Sequence, residues 1–191
     1  MRARRRVLRQ TRDVRSVRAR PRGSRPDSLT EEDLEATSES AVLTPELETQ
    51  LAEIEMEDGP VVGIVMGAES DRAVMQAAAD ELKDRGIRHE VTVVSAHRDP
   101  ELVRTYATGA RARGLKVIIA GAGMAAALPG MVASFSDLPV IGVPIRTENS
   151  VSGGLDALLS IAQAPAGVPV ACVAVNGAQN AAILAARILF T

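Results

Sequence analysis

The sequence predicts an α/β fold, a flavodoxin-like three-layer sandwich with a five-stranded parallel sheet in the order 2-1-3-4-5. From Pro60 onward, five apolar segments rich in β-branched residues alternate with five segments of helical periodicity. The apolar segments are continuous runs, which is typical of parallel strands covered by helices on both faces. With right-handed crossovers, the loops after strands one, two and three then meet at one crevice, where ligands bind in such folds.

The first two strands and helices follow from apolar runs and helix caps. Residues 61–66 and about 89–94 are predicted as strands one and two, because both are rich in valine and isoleucine or threonine. The first helix is predicted near 72–85, where apolar residues share one face and a glycine follows. Asp99 and Pro100 suit the N-cap and the first position of the second helix, so they predict where it begins.

The second half of the chain continues the alternation. Strand three is predicted at 116–120 and leads into a long loop of small residues at 121–130. Strand four is predicted at 139–143, because Pro144 lacks an N–H for the strand ladder and is expected to stop it. The remaining predicted elements are helices near 130–135, 154–162 and 178–190 and a fifth strand at about 168–175.

Charge divides the chain into three parts, although the sum is −2. Residues 1–26 carry 11 arginines and one acid, residues 27–59 carry 12 acids and no Lys or Arg, and residues 60–191 carry 11 of each. We predict a basic disordered tail, an acidic linker and one folded domain. A transit peptide, or a tail that binds phosphates, is the alternative for the basic part; without interleaved aromatic residues, a nucleic-acid partner is not expected.

The acidic linker contains one segment with helical features. Thr44 and Pro45 suit a helix start, and Leu47, Leu51 and Ile54 fall on one helical face. Two interpretations remain open. The helix docks on the folded domain or a neighbouring subunit, or it is a solvated linker.

Two chemical classes of site are absent from the sequence pattern. One cysteine and two histidines at unrelated positions do not make a zinc site, and no Ser-His-Asp order with a nucleophile elbow is present. Cys172 lies in an apolar run and is interpreted as a small buried side chain, which fits a reducing cytoplasm. No apolar run reaches the roughly 18 residues of a membrane span, so no membrane partner is expected.

The loop after strand two carries the best acid/base candidate. His97 follows the carboxyl end of the strand and is flanked by Ser95 and Arg98. A histidine suits proton transfer near neutral pH, whereas His89 lies before or within strand two, at its other end. The alternatives are a structural histidine, and an Arg98 that pairs with a nearby acid instead of a phosphate.

The other two loops offer main-chain groups and one hydroxyl. In the first loop, Ser70 and backbone N–H groups precede a helix and could bind an anion; simple helix capping by Ser70 and Asp71 is the alternative. The third loop, 121–130, has no titratable side chain and suits a flat ring held close to the main chain. Its alternative is a close-packed crossing from strand to helix.

Six blocks covering most of residues 61–190 resemble the N5-carboxyaminoimidazole ribonucleotide mutase family, also known as the catalytic subunit of phosphoribosylaminoimidazole carboxylase. The blocks are VMGAESD (65–71), VVSAHR (93–98), IIAGAG (118–123), LPGM (128–131), PVIGVP (139–144) and NAAILAA (180–186). The resemblance implies a cytoplasmic homo-octamer that needs no metal or organic cofactor. It also implies a purine-biosynthetic mutase or carboxylase, whose partners are a small ribonucleotide substrate and CO₂.

The resemblance further assigns roles to residues of this sequence. His97 would be the general acid and base while the substrate's carbamate releases CO₂ and ring carbon 4 recaptures it. Ser70 and Arg98 would hold the phosphate, Asp71 the ribose, and Ser95 would lie near the ring. The substrate-binding set that it implies is Gly67, Ser70, Asp71, Ser95, Ala96, Arg98, Gly121, Ala122, Gly123 and Leu128.

Three positions depart from the family's pattern. Ala68 stands where the family has a serine, Met124 where it has a glycine and Ala127 where it has a histidine. The third loop is thereby similar to relatives that carboxylate a nicotinate-type dinucleotide, although those lack the Ser-Ala-His-Arg block. Two alternatives follow: a divergent carboxylase or decarboxylase of another nucleotide-linked heterocycle, and a non-catalytic nucleotide sensor on the same fold.

Overall fold

A computed structural model describes residues 59–191 of the protein. It contains one parallel sheet with strand order β2-β1-β3-β4-β5, so the predicted flavodoxin-like fold is confirmed. The strands are β1 (Val62–Met66), β2 (His89–Val93), β3 (Val117–Gly123), β4 (Val140–Ile145) and β5 (Ala171–Cys172). The helices are α1 (Arg72–Asp84), α2 (Pro100–Thr108), α3 (Ala127–Phe135), α4 (Leu155–Ala162) and α5 (Ala178–Leu189).

Helices cover both faces of the sheet and create two hydrophobic cores. On one face, α1 and α5 pack on β1, β3 and β4 through Met75, Leu82 and a row of alanines in α5. On the other face, α2, α3 and α4 pack through residues such as Val103, Leu128 and Ile161. Because β1 is buried along its whole length, its apolar residues do not alternate with polar ones.

The strand register places the site. In β1, Met66 lies beside Val93 of β2 and Gly121 of β3. The main-chain N–H of Gly67 donates to the oxygen of Gly121 at 3.2 Å, so the first loop leaves the sheet directly over the tip of β3. The carboxyl ends of the three strands therefore converge, whereas His89 begins β2 at the opposite end of the sheet.

Two predicted boundaries around the third loop differ from the structure. Strand β3 continues to Gly123 and α3 begins at Ala127, so the connection is much shorter than the predicted loop at 121–130. Small residues suggested a loop, but Gly121 and Gly123 pair with β4 in the ladder. Pairing with neighbouring strands thus overrides local propensity.

The prediction that Pro144 ends strand four is wrong, because β4 runs to Ile145. The carbonyls of Gly142 and Pro144 accept hydrogen bonds from Val173 and Asn176, at 3.1 and 2.8 Å. The missing N–H of Pro144 therefore faces the side where β5 has already ended, and no ladder bond is lost. Strand β5 is also shorter than predicted, since it pairs only next to residues 141 and 142.

The predictions for residues 1–58, the basic tail and most of the acidic linker with its helix, lie outside the described residues. Cys172 lies partly buried in β5, and burial raises the pKa of its thiol. Within residues 59–191, no helix combines the length and the apolarity needed to cross a bilayer.

Gly63 in β1 allows the closest approach between the sheet and α2. A Cβ at this position would overlap the hydroxyl of Tyr106 and lie 3.0 Å from Cδ1 of Leu115. We expect Gly63→Ala to lower the free energy of unfolding by about 1–3 kcal/mol, because the buried ring has little room to move. Denaturant unfolding measures this change.

Two variants test the cause of that loss. Adding Tyr106→Phe to Gly63→Ala removes the overlapping oxygen and should restore part of the stability. Gly130→Ala is the matched control, since a Cβ there meets nothing within 4 Å and the residue is helical. We expect this control to be neutral or more stable by about 0.5–1 kcal/mol. Equal losses in both glycine variants would contradict the overlap.

Candidate active site

A cavity of about 360 Å³ opens at the carboxyl end of the sheet, where the loops after β1, β2, β3 and β4 meet. This volume suits a small ligand. The lining residues are Gly67, Ala68, Ser70, Asp71, Ser95, Ala96, His97, Arg98, Ala122, Gly123, Met124, Ala125, Leu128 and Thr147. The lining thus includes every residue of the predicted site except Gly121, whose contribution is the main-chain bond to Gly67.

The first loop is held by a buried carboxylate. Asp71 is 6% exposed, the one buried polar or charged residue within residues 59–191. Its Oδ2 accepts a hydrogen bond from the N–H of Ala68 at 3.1 Å. Burial raises the pKa of Asp71 above its ordinary value, against the opposing effects of the Ala68 N–H and the Arg98 charge. The N–H of Ala68 is therefore already engaged within the loop.

An anion entering this loop would meet few donors. Ser70 is exposed and lines the cavity, so its hydroxyl is available. Glu69 lies beside it but pairs with Arg72, with Nη2 of Arg72 donating to Oε2 of Glu69 at 2.9 Å. Because Ala68 has no hydroxyl, the first loop offers an anion one side-chain donor, Ser70.

Arg98 links the first and second loops. Its Nη2 donates to the oxygen of Gly67 at 3.0 Å, and its main-chain N–H donates to Oγ of Ser95 at 3.3 Å. Asp99 then caps α2 by accepting a bond from the N–H of Leu102 at 3.0 Å, as the sequence predicts. The guanidinium is exposed and has further N–H groups, so it can bind an anion while it keeps the contact to Gly67.

His97 projects from the tip of the second loop. Its residue is exposed, next to the nearly buried Ala96, and it lines the same cavity as Ser70 and Arg98. His89 lies at the other end of β2, where Nδ1 is 3.0 Å from the oxygen of Ile87. The two histidines are thus separated by the length of the strand, and His97 is the one beside the cavity.

The third loop supplies an apolar wall. Ala122, Ala125 and Leu128 line the cavity, and no titratable side chain lies between residues 121 and 130. Gly123 permits close packing here, because a Cβ on it would lie 2.9 Å from the oxygen of Ile145. Met124 adopts a left-handed conformation, with φ of +57°, and is 47% exposed.

Thr147 is a lining residue that the sequence reasoning missed. It follows the carboxyl end of β4, and its main-chain N–H donates to Oγ of Ser150 at 2.8 Å. The prediction ended β4 at 143, which placed Thr147 well beyond the sheet edge. A hydroxyl just after the end of a fourth parallel strand is the signal that could have identified it.

The buried carboxylate of Asp71 predicts a dependence of stability on pH. Its pKa is raised in the folded state, so its ionisation on going above the ordinary Asp range weakens folding. Asn can still accept the Ala68 N–H without carrying a charge. We therefore expect Asp71→Asn to raise the Tm of the ligand-free protein at pH 7, and the difference to shrink below about pH 4.

Thermal unfolding from pH 3.5 to 8 tests this expectation. Asp137→Asn is the control, because the pKa of this exposed carboxyl is lowered by its ion pair with Arg111. We expect the control to leave Tm at pH 7 unchanged or slightly lower. A Tm for Asp71→Asn below that of the wild type at pH 7 would show that the negative charge stabilises the loop.

The cavity combines three functions on separate loops. Ser70 and Arg98 can bind an anionic group, His97 can transfer protons, and the third loop can exclude water from an apolar or flat moiety. Within the described residues, no group of three or more His, Cys, Asp or Glu side chains is arranged to hold a metal ion. The arrangement suits acid/base chemistry on a small phosphorylated molecule.

Comparisons with known proteins agree on one family. The sequence model of a family described as AIR carboxylase matches residues 61–191. The chain is 60% identical over 130 residues to the N5-carboxyaminoimidazole ribonucleotide mutase of Thermotoga maritima, covering 68% of this chain and 75% of that protein. The mutase of Aquifex aeolicus is 59% identical over 130 residues, with 68% and 77% covered. The solved structure of Treponema denticola PurE matches with a TM-score of 0.61 and 34% identity, over 69% of this chain and 80% of that one.

Proposed function

The chain belongs to the AIR carboxylase family of enzymes, and we propose that it converts N5-carboxyaminoimidazole ribonucleotide to 4-carboxy-5-aminoimidazole ribonucleotide in purine biosynthesis. One observation carries the proposal. In a chain 60% identical to a protein named for this mutase activity, His97 and Arg98 line one cavity with Ser70 and Asp71. Acid/base and anion-binding groups thus lie within reach of one small ligand.

The phosphate of the substrate binds between the first two loops. Arg98 provides charge-assisted hydrogen bonds from its exposed guanidinium, and Ser70 adds its hydroxyl. Asp71 contacts the ribose with the carboxylate oxygen that does not accept the Ala68 N–H. Ser95, Gly67 and Ala96 complete this part of the site.

The heterocycle lies against the third loop, beside His97. The bond between the exocyclic nitrogen and the carbamate carbon breaks, CO₂ leaves, and the nitrogen regains a proton. Carbon 4 of the ring then attacks CO₂ and loses its own proton. His97 moves these protons, while the apolar wall of Ala122, Gly123 and Leu128 limits access of water. The sequence of steps needs no cofactor.

We also propose a cytoplasmic homo-octamer. An apolar row on the described surface supports association, because Val151, Leu155 and Leu159 are 65%, 43% and 46% exposed. Burying these side chains against other subunits would remove apolar area from water. Sedimentation of the full chain should give a mass of eight copies. A monomer at micromolar concentration would contradict this assembly.

The test of the proposed activity is direct. Purified full-length protein is mixed with the carbamate substrate, and formation of the carbon-4 carboxylate is followed against the uncatalysed rate. We expect conversion without added ATP or metal. Absence of conversion by protein of intact fold and assembly would overturn the proposal.

Ala68 and Met124, both in the cavity lining, favour a second candidate. A divergent carboxylase or decarboxylase acting on another nucleotide-linked heterocycle would explain a site with fewer donors and an added apolar side chain. A panel of ribonucleotides with other five- and six-membered rings distinguishes the two candidates. Faster turnover of any of these than of the purine intermediate would favour the second. Ligand binding without turnover of any substrate would favour a nucleotide sensor.

A further inference from the structure

Met124 has an unusual backbone conformation for its residue type. Its φ of +57° lies in the left-handed region, and its oxygen accepts a hydrogen bond from the N–H of Ala126 at 2.9 Å. Within residues 59–191, Ser152 and Asn176 are the other non-glycine residues with positive φ, and neither lines the cavity. A methionine in this conformation costs free energy that glycine would not. The side chain at this position therefore calls for a compensating role.

The surroundings of Met124 indicate what that role is. Its side chain is about half exposed and lines the wall formed by Ala122, Ala125 and Leu128. The nearby lining side chains of this loop are mostly methyl groups, so Met124 is the long flexible one. Methionine can adapt its shape to a ligand surface because it has three rotatable bonds and no branch. A bound ring beside His97 would cover this apolar side chain and remove it from water.

We propose that Met124 is a positioning residue that closes over the heterocycle and retains CO₂ between its release and its recapture. This inference rests on the proposed mutase function. When the carbamate bond breaks, the exocyclic nitrogen keeps the electron pair and takes a proton, and neutral CO₂ is held by no charge. Carbon 4 must attack the same molecule of CO₂ before it diffuses away. A flexible apolar cover on the ring side of the cavity slows that escape without contributing a proton or a hydrogen bond.

The proposal makes a specific prediction for Met124→Gly. Glycine fits the left-handed backbone without strain, so the variant should fold at least as well as the wild type. It removes the cover and leaves His97, Arg98 and Ser70 in place. Met124→Leu is the matched control, because it keeps an apolar side chain of similar volume. The expected defect is leakage of CO₂ rather than loss of binding.

Isotope exchange measures leakage. Unlabelled carbamate substrate reacts in buffer equilibrated with carbon-13 bicarbonate, with carbonic anhydrase present to keep CO₂ and bicarbonate at equilibrium. The labelled fraction of product and the amount of free aminoimidazole ribonucleotide are determined at early times, after subtraction of the reaction without enzyme. We expect largely unlabelled product from the wild type and from Met124→Leu. Met124→Gly should give a severalfold higher labelled fraction and more free aminoimidazole ribonucleotide.

The outcomes separate this inference from the proposed function. Turnover with the same labelled fraction in Met124→Gly and wild type would overturn the role of Met124 and leave the mutase function standing. The same holds if Met124→Leu leaks as much as Met124→Gly, or if wild-type product is already fully labelled. A wild-type protein that forms no product at all would overturn both. Circular dichroism and sedimentation verify that the variants share the fold and assembly of the wild type.

Discussion

Replacing His97 by Asn is expected to lower kcat by about 100- to 10,000-fold while leaving substrate affinity nearly unchanged. Asn is similar in size and polar, but it cannot exchange protons near neutral pH. Substrate binding depends mainly on Arg98, Ser70 and Asp71, which this change does not touch. The ring of His97 is exposed in the ligand-free chain, so little folding energy rests on it.

Single-turnover kinetics and calorimetric binding together measure this separation of kcat from affinity. His89→Asn is the matched control, because His89 lies at the opposite end of β2, away from the cavity. We expect the control to turn over at the wild-type rate. A His97→Asn variant that keeps most of its kcat would show that another group, or a water molecule, transfers the protons.

Arg98→Ala is the second change with a large expected effect. The first loop offers a phosphate the Ser70 hydroxyl, while the N–H of Ala68 is used by Asp71. Arg98 must therefore provide much of the phosphate binding, and its loss also removes the bond to the oxygen of Gly67. We expect a loss of about 2–3 kcal/mol of transition-state binding, on the order of 100-fold in kcat/KM, chiefly through KM.

Three comparisons identify the phosphate as the cause. Arg98→Lys should fall between wild type and Arg98→Ala, because lysine keeps the charge but loses the planar fork of N–H groups. Arg104→Ala is the control, since this exposed arginine of α2 only approaches Glu101, at 3.8 Å. The nucleoside without phosphate should bind wild type and Arg98→Ala equally weakly. A defect that persists with this nucleoside would assign Arg98 to loop structure instead.

The three departures from the family's sequence pattern fall at or beside the cavity. Ala68 and Met124 line it, and Ala127 begins α3 directly after the turn. Without a histidine at 127 the third loop has no proton donor, so proton transfer falls to His97. The predicted effects of His97→Asn and Arg98→Ala are large for this reason: few other side chains in the cavity can substitute for them.

Several features of the fold were readable from local sequence. Continuous apolar runs and helical periodicity predicted the order of elements, and Asp99 with Pro100 predicted the start of α2. The lengths of β3, β4 and β5 were not readable, because they depend on which neighbouring strand supplies hydrogen bonds. The extension of β4 through Pro144 illustrates this, since only the end of β5 makes the missing N–H harmless.

The sequence by itself determined the fold class and nearly all of the residues that surround the cavity, because residues after the carboxyl ends of parallel strands converge in this topology. Tertiary structure decided how they act together. It joined Arg98 to Gly67, buried Asp71 against the N–H of Ala68, brought Thr147 to the rim and set Met124 in a left-handed turn. These contacts link residues through packing and hydrogen-bond geometry, which spacing along the chain does not encode.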